Sequence, residues 1–351
     1  MFWVLLVACS GSSEKNDTSD SVDPLTWSVM DKGPYNVGYR QTEISYATPL
    51  GEHTTPVHLW YPTEDTDGES AMYINLIEDT EAFAEATLAP THYLDGYPLF
   101  VFSHGSFLYG PSSNYLMRYL ATHGWVVAAP DHVGNMYTEY GSDLPLGTYY
   151  QRPMNDSIAI DAVENEAFFD GTVNTEQAVI GGFSFGAYDV WASVGATMNI
   201  ESIEQKCDSN SLSEPCTDAE LELFFNGFLD SRFVAGIPMA GANRFDWIAV
   251  DGMSTVNLPV LLVSGTEDGD NPDEIWNSIQ DVDLKWLSIT DGCHQMFSVG
   301  GCPNIDIDEG FRIINIYNLA FARRHLLGDE SVETTSILDG TTEVDSRAVI
   351  E

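Results

Sequence analysis

Positive charge is what this sequence has least of. Its 351 residues carry 13 Lys and Arg against 54 Asp and Glu, a formal net charge of −41. A surface of that sign repels the phosphate backbone, which excludes nucleic acid as a partner. It also repels anionic lipid headgroups, so the protein surface does not dock on a membrane by itself. High salt would screen the self-repulsion, and a saline medium suits such a chain. Long hydrophobic runs are missing too: no stretch approaches the about 20 apolar residues that a membrane-spanning helix needs. There is no internal repeat, which excludes a solenoid. No linker divides the body, so residues 25–351 are expected to form one domain. At 44% hydrophobic residues, the chain has enough apolar material for one large core.

Cysteine is sparse, at five residues, and its placement is informative. A short apolar run over residues 2–8 ends in Leu6-Val7-Ala8-Cys9. This tetrad resembles the lipobox of bacterial lipoproteins, where a signal peptidase cuts before the Cys and the Cys then carries lipid. The resemblance implies that residues 1–8 are the remnant of a signal peptide whose basic n-region lies upstream of Met1. It further implies a lipidated Cys9, and residues 9–24 then read as a Ser/Asp-rich flexible tether. The protein is accordingly expected in the cell envelope, at the outer membrane, or secreted, touching a membrane only through its lipid anchor. The other four cysteines form two close pairs with matching separations, Cys207 with Cys216 and Cys293 with Cys302. Four cysteines allow three connectivities, of which local pairing is the simplest, and it requires an oxidising compartment. Neither pair has the C-x-x-C spacing of a zinc site, and the acidic run 267–274 lacks the glycine spacing of an EF-hand.

Residues 34–62 alternate apolar and polar side chains rich in Thr, Tyr and Val, which predicts two antiparallel strands opening a sheet. Short apolar runs follow at 98–102, 125–129, 178–182, 233–237, 260–263 and 284–289. Runs apolar on both faces suit buried parallel strands. Helical segments are expected at 114–123, 156–169, 187–198 and 310–327. This alternation predicts an α/β fold: a mostly parallel central sheet flanked by helices. Residues 199–230 break the rhythm as a small acidic insertion after the third of these helices. They hold one cysteine pair and read either as a cover beside a site or as a surface excursion. The tail after Asp329 reads as weakly structured, although 332–337 could pack.

Chemistry concentrates at Gly182-Phe183-Ser184-Phe185-Gly186, a G-x-S-x-G run between a strand and a helix. In a nucleophile elbow of this kind the Ser sits on a sharp, strained turn, and glycines relieve the crowding around it. A hydroxyl needs a base to take its proton. Chain order in such elbows is Ser, acid, His. Only His294 and His325 lie downstream, and His294 follows the last strand, whereas His325 sits in the closing helix beside two arginines. After the preceding strand, Asp268 is the best-placed acid, with Glu267 and Asp270 as alternatives. The oxyanion requires two backbone donors. They are expected to be the amide of Phe185 and that of Ser106, with Phe107 next in order. His104 and His132 read as structural. His53, His58, His92 and His123 show no ligand-like spacing.

Together, Val101-Phe102-Ser103-His104-Gly105, residues 119–132, the G-x-S-x-G run and Cys293-His294-Gln295-Met296-Phe297 resemble the dienelactone-hydrolase-like branch that includes platelet-activating-factor acetylhydrolases. The similarity covers most of residues 97–300. It implies an α/β-hydrolase fold and carboxylic-ester cleavage through an acyl-enzyme, with no metal or organic cofactor. Two departures matter. Acetylhydrolases place the acid after the strand at 233–237, where this chain has Pro238-Met239-Ala240-Gly241 and no Asp before Asp246. The acid is therefore assigned to Asp268, as in dienelactone hydrolases. The nucleophile is Ser, where true dienelactone hydrolases have Cys. The expected partner is an ester, small or polymeric, and the protein is expected to be a monomer. A polyester or cutinase-like hydrolase is the second reading, and an inactive surface-binding lipoprotein the third.

Overall fold

A computed structural model describes residues 22–141, 144–208, 212, 215–241, 247–269, 272–279, 281–298 and 300–351. Cys9, the signal-like segment and nearly all of the expected tether lie outside the described residues, as do Asp246 and Asp270. Among the described residues, no helix is long and apolar enough to cross a membrane.

Eleven strands form one sheet. They are β1 (Asn36–Thr48), β2 (Gly51–Thr63), β3 (Ser70–Tyr73), β4 (Ile77–Ala84), β5 (Tyr97–Ser103), β6 (Val126–Pro130), β7 (Val173–Phe183), β8 (Phe233–Met239), β9 (Val260–Gly265), β10 (Leu284–Ile289) and β11 (Ala348–Ile350). Their order across the sheet is β11-β10-β9-β8-β7-β5-β6-β2-β1-β4-β3. The run from β10 to β6 is parallel, and β1, β2 and β11 add antiparallel edges. The helices are α1 (Asn114–Thr122), α2 (Leu146–Asn165), α3 (Phe185–Ser193), α4 (Ile200–Asp208), α5 (Asp218–Asn226), α6 (Val250–Met253), α7 (Pro272–Ser278), α8 (Ile307–Leu326) and α9 (Val332–Leu338).

The parallel strands are apolar on both faces because both faces are covered. In β5, Phe100 and Phe102 join the core beneath α1 and α8, whereas Leu99 and Val101 join the core beneath α2 and α3. The same period-two split runs through Val127 and Ala128 in β6 and through Val179 and Ile180 in β7. The insertion forms α4 and α5, closed by Cys207–Cys216, and Phe224 of α5 packs edge-on against Tyr150 of α2 and against Trp247. Thr217 and Glu220 cap α5 reciprocally.

Three regions depart from the pattern read in the sequence. α2 begins at Leu146, ten residues before the expected start at 156, and carries Pro153 inside it. Its buried face includes Arg152, Asn155 and Asp156, so no apolar stripe marks it. β3 is a four-residue edge strand, too short to show alternation, and acidic side chains hide the alternation of β4 beside it. The tail is ordered: α9 packs on α8, and β11 pairs with β10. Ahead of the sheet, Arg323 of α8 donates to the carbonyls of Leu25 and Trp27, which pins the start of the described chain.

Candidate active site

The residues singled out in the sequence sit at the C-terminal ends of parallel strands, the edge where loops converge and a ligand crevice forms in open α/β sheets. Ser184 follows β7, Ser106 follows β5, Asp268 follows β9 and His294 follows β10. Ser184 has φ 57° and ψ −110°, a strained conformation for a residue with a side chain. The flanking glycines are required by contact. A Cβ on Gly182 would lie 2.3 Å from the Gly186 carbonyl oxygen, and one on Gly186 would lie 2.1 Å from that of Ser103.

Ser184 Oγ lies 3.0 Å from His294 Nε2, and His294 Nδ1 lies 2.5 Å from Asp268 Oδ1. The Asp268 side chain is fully buried and Ser184 is nearly so. His294 opens a short helical turn, 294–297, whose preceding residue is tied by Cys293–Cys302. Phe183 lies against the imidazole with centroids 4.8 Å apart and stacks on Phe297, so it packs the His294 ring in place. Glu267, the alternative acid, is exposed, and its amide donates to the Gly292 carbonyl. His325 packs on Phe321 in the closing helix.

Of the two expected oxyanion residues, Phe185 is the first residue of α3, and first-turn amides are the ones a helix leaves for other partners. No described residue accepts from the Ser106 amide, whereas the Phe107 amide already donates to the Asn135 carbonyl at 3.1 Å. Phe107 has φ 56°, rare for a bulky side chain, and its ring meets Tyr140 edge-on. Tyr109 meets Tyr137 in the same way.

Beneath this edge lies a polar cluster that the sequence reading does not identify beyond its two histidines. His104 Nδ1 bonds the Gly105 carbonyl, and His104 Nε2 accepts from the His132 amide. His132 Nε2 is 2.8 Å from Ser103 Oγ, which donates to Asp189 Oδ2. Burial, reinforced by the Arg152 guanidinium, pushes His104 down to about 3 and His132 well below the usual imidazole range. Both imidazoles are therefore neutral, and the 4.0 Å approach of His132 to Asp189 is no ion pair. Burial also raises the carboxyls of Asp156 and Asp189, Asp156 furthest because Asp189 stands beside it. Asp189 is the one that Arg152 contacts, and that charge and its hydrogen bonds offset part of the rise there. Ligand-type atoms of His132, Asp156 and Asp189 fall within 4.8 Å of one another. The Ser103 hydroxyl bridges His132 and Asp189, and the Arg152 guanidinium supplies positive charge beside them.

No protein-family model matches this chain, and no curated protein matches it. Among solved structures it is similar to a ferulic acid esterase from Streptomyces cinnamoneus, with TM-score 0.64 and 19% identity over 90% of this chain and 96% of that one. The mixed sheet flanked by helices, with its elbow after a central strand, is the α/β-hydrolase fold. The two disulfides, Cys207–Cys216 and Cys293–Cys302, belong to a protein that matures outside the reducing cytosol.

Proposed function

We propose that this protein is a serine carboxylic-ester hydrolase that works through an acyl-enzyme. One observation carries the reading: Ser184 Oγ, His294 and Asp268 form a continuous hydrogen-bonded line, at 3.0 and 2.5 Å, on a strained strand-to-helix turn. Ser184 Oγ attacks the ester carbonyl carbon while its proton passes to His294 Nε2. Asp268 holds the Nδ1 proton and stabilises the imidazolium. The amides of Ser106 and Phe185 receive the negative charge on the carbonyl oxygen. Collapse of the tetrahedral intermediate breaks the bond to the alkoxy oxygen, which leaves as the alcohol with the proton from His294. Water then attacks the acyl-enzyme by the same route, freeing the carboxylic acid and restoring Ser184. These steps use no metal or organic cofactor. The enzyme acts as a monomer outside the cytoplasm, held by lipid on Cys9.

A polyester-cleaving reading is favoured by one feature. Tyr137 and Tyr140, 39 and 81% exposed, meet Tyr109 and Phe107 edge-on, an open aromatic rim that suits a polymer chain. The similarity to a ferulic acid esterase makes aromatic acyl groups the other class to compare. The test is hydrolysis of p-nitrophenyl esters of increasing acyl length, methyl ferulate and an aliphatic polyester film by purified protein, beside Ser184→Ala. Activity on at least one series, lost in Ser184→Ala, is expected. Equal activity in the two proteins would overturn the assignment. A folded wild type that cleaves none of them would favour a binding lipoprotein.

A further inference from the structure

We infer that Arg152 is a positioning residue that sets the spacing of the two oxyanion-hole amides; this rests on the hydrolase reading above. Arg152 is 1% exposed, a full charge at the base of the site in a protein with few cations. Its guanidinium reaches both halves of the expected hole. Toward the first half, Nη2 donates to the His104 carbonyl and Nη1 to Asn135 Oδ1 at 3.0 Å. Asn135 in turn donates from Nδ2 to Ser106 Oγ at 3.1 Å, and its carbonyl receives the Phe107 amide at 3.1 Å. The Ser106 peptide is thereby gripped on both sides, at residues 104 and 107 and at its own hydroxyl. Toward the second half, Nε donates to Asp189 Oδ2 at 2.9 Å, and the guanidinium carbon lies 4.3 Å over the Phe185 ring. Asp189 lies one turn along α3 from Phe185. A single planar fork thus links the loop after β5 to the helix after β7.

Geometry explains why the fork must be an arginine. Three acceptors on three chain segments are met by donors held in one plane, which the point charge of a lysine cannot do. A stability role alone explains it poorly, because well-packed apolar residues serve as well as a buried ion pair or better. An oxyanion hole, by contrast, depends on donors fixed within a few tenths of an ångström of where charge develops. The left-handed Phe107 shows the loop held in a conformation that it would not adopt alone.

The test compares Arg152→Lys, Asn135→Ala and Arg323→Lys with wild type, each normalised to active sites by burst titration with a p-nitrophenyl ester. Arg323 is the other fully buried arginine among the described residues; it ties the segment at Leu25 and Trp27 to α8. In Arg152→Lys the ion pair to Asp189 survives but the fork is lost, so kcat per site should fall about 10- to 100-fold with KM within about twofold. A trifluoromethyl ketone, whose adduct carries the oxyanion, should weaken in step with kcat. Asn135→Ala should show the same signature to a lesser degree, and it carries the test if Arg152→Lys fails to fold. Arg323→Lys should lower the melting temperature and leave kcat per site unchanged. Wild-type kcat per site in a folded Arg152→Lys or Asn135→Ala would overturn the proposal. So would a loss confined to the titratable fraction. A wild type that shows no burst and takes no fluorophosphonate at Ser184 would instead sink the hydrolase reading.

Discussion

The protein closes two loops with disulfides of the same sequence separation, nine residues, in very different places. Cys293–Cys302 brackets the turn that begins with His294, while Cys207–Cys216 joins α4 to α5 in the acidic insertion. Loop-closure entropy is the same for both, about 3 kcal/mol each. What differs is what each loop is attached to. The first lies one residue from the imidazole that meets Ser184 and Asp268. The second leans on α2 through Phe224 and Tyr150. Equal covalent constraint therefore need not mean equal consequence for chemistry, and the two loops can be set against each other by experiment.

The largest effect should come from the first loop's own side chain. His294→Ala should lower kcat by about 10⁴-fold or more, whereas Glu222→Ala on α5 should leave it within about twofold. Kinetics on both folded proteins decide this, and a comparable loss in the two would erase the distinction. Next is Asp268→Asn, which preserves shape but not charge: kcat should drop about 10²- to 10⁴-fold with little change in KM. A smaller split is expected between the disulfides themselves. Replacing Cys293 and Cys302 together by Ser should cost about tenfold in kcat, through misplacement of the imidazole. The same change at Cys207 and Cys216 should leave kcat alone while lowering denaturant stability by a similar amount. Urea unfolding and steady-state rates on the two double variants measure both halves of the statement.

The subtlest contrast is in pH. His104 and His132, under the edge that carries Ser184, are held neutral by burial, whereas residues 199–230 contain no histidine. Unfolded imidazoles take protons near pH 6.5, so below that the unfolded chain binds protons that the folded edge refuses. That stability is complete above pH 6.5 and is lost as pH falls toward about 3, where His104 would finally protonate. Asp156 and Asp189 oppose it, because burial raises both carboxyls, and a raised carboxyl binds protons more readily when folded than in the unfolded chain. Corrected for intrinsic rates, amide exchange at pH 5 should show protection lost around residues 103–106 and 132–135 before α5. Uniform loss would contradict the account.

Where the sequence is legible, packing writes a simple pattern. Strands covered on both faces appear as the apolar runs at 98–102, 178–182 and 260–263, and the elbow requires glycines that a motif can carry. His294 stands out because so few histidines follow Ser184. The rest is hidden for physical reasons. α2 buries Arg152, Asn155 and Asp156, so a helix whose inner face is polar has no stripe to read, and Pro153 reads as a break. Arg152 and Asp189 find each other only in three dimensions, since a buried ion pair has no spacing rule. The edge strands β3 and β11, and β4 beside β3, gain their order from pairing with neighbours rather than from their own composition.

The central claim is that Ser184, made nucleophilic by His294, forms a covalent acyl intermediate. A fluorophosphonate probe followed by peptide mass spectrometry tests it most directly. The account predicts one probe adduct per chain, on the peptide bearing Ser184, absent in Ser184→Ala and slowed by orders of magnitude in His294→Ala. Labelling at another serine, or equal labelling rates in wild type and His294→Ala, would contradict it.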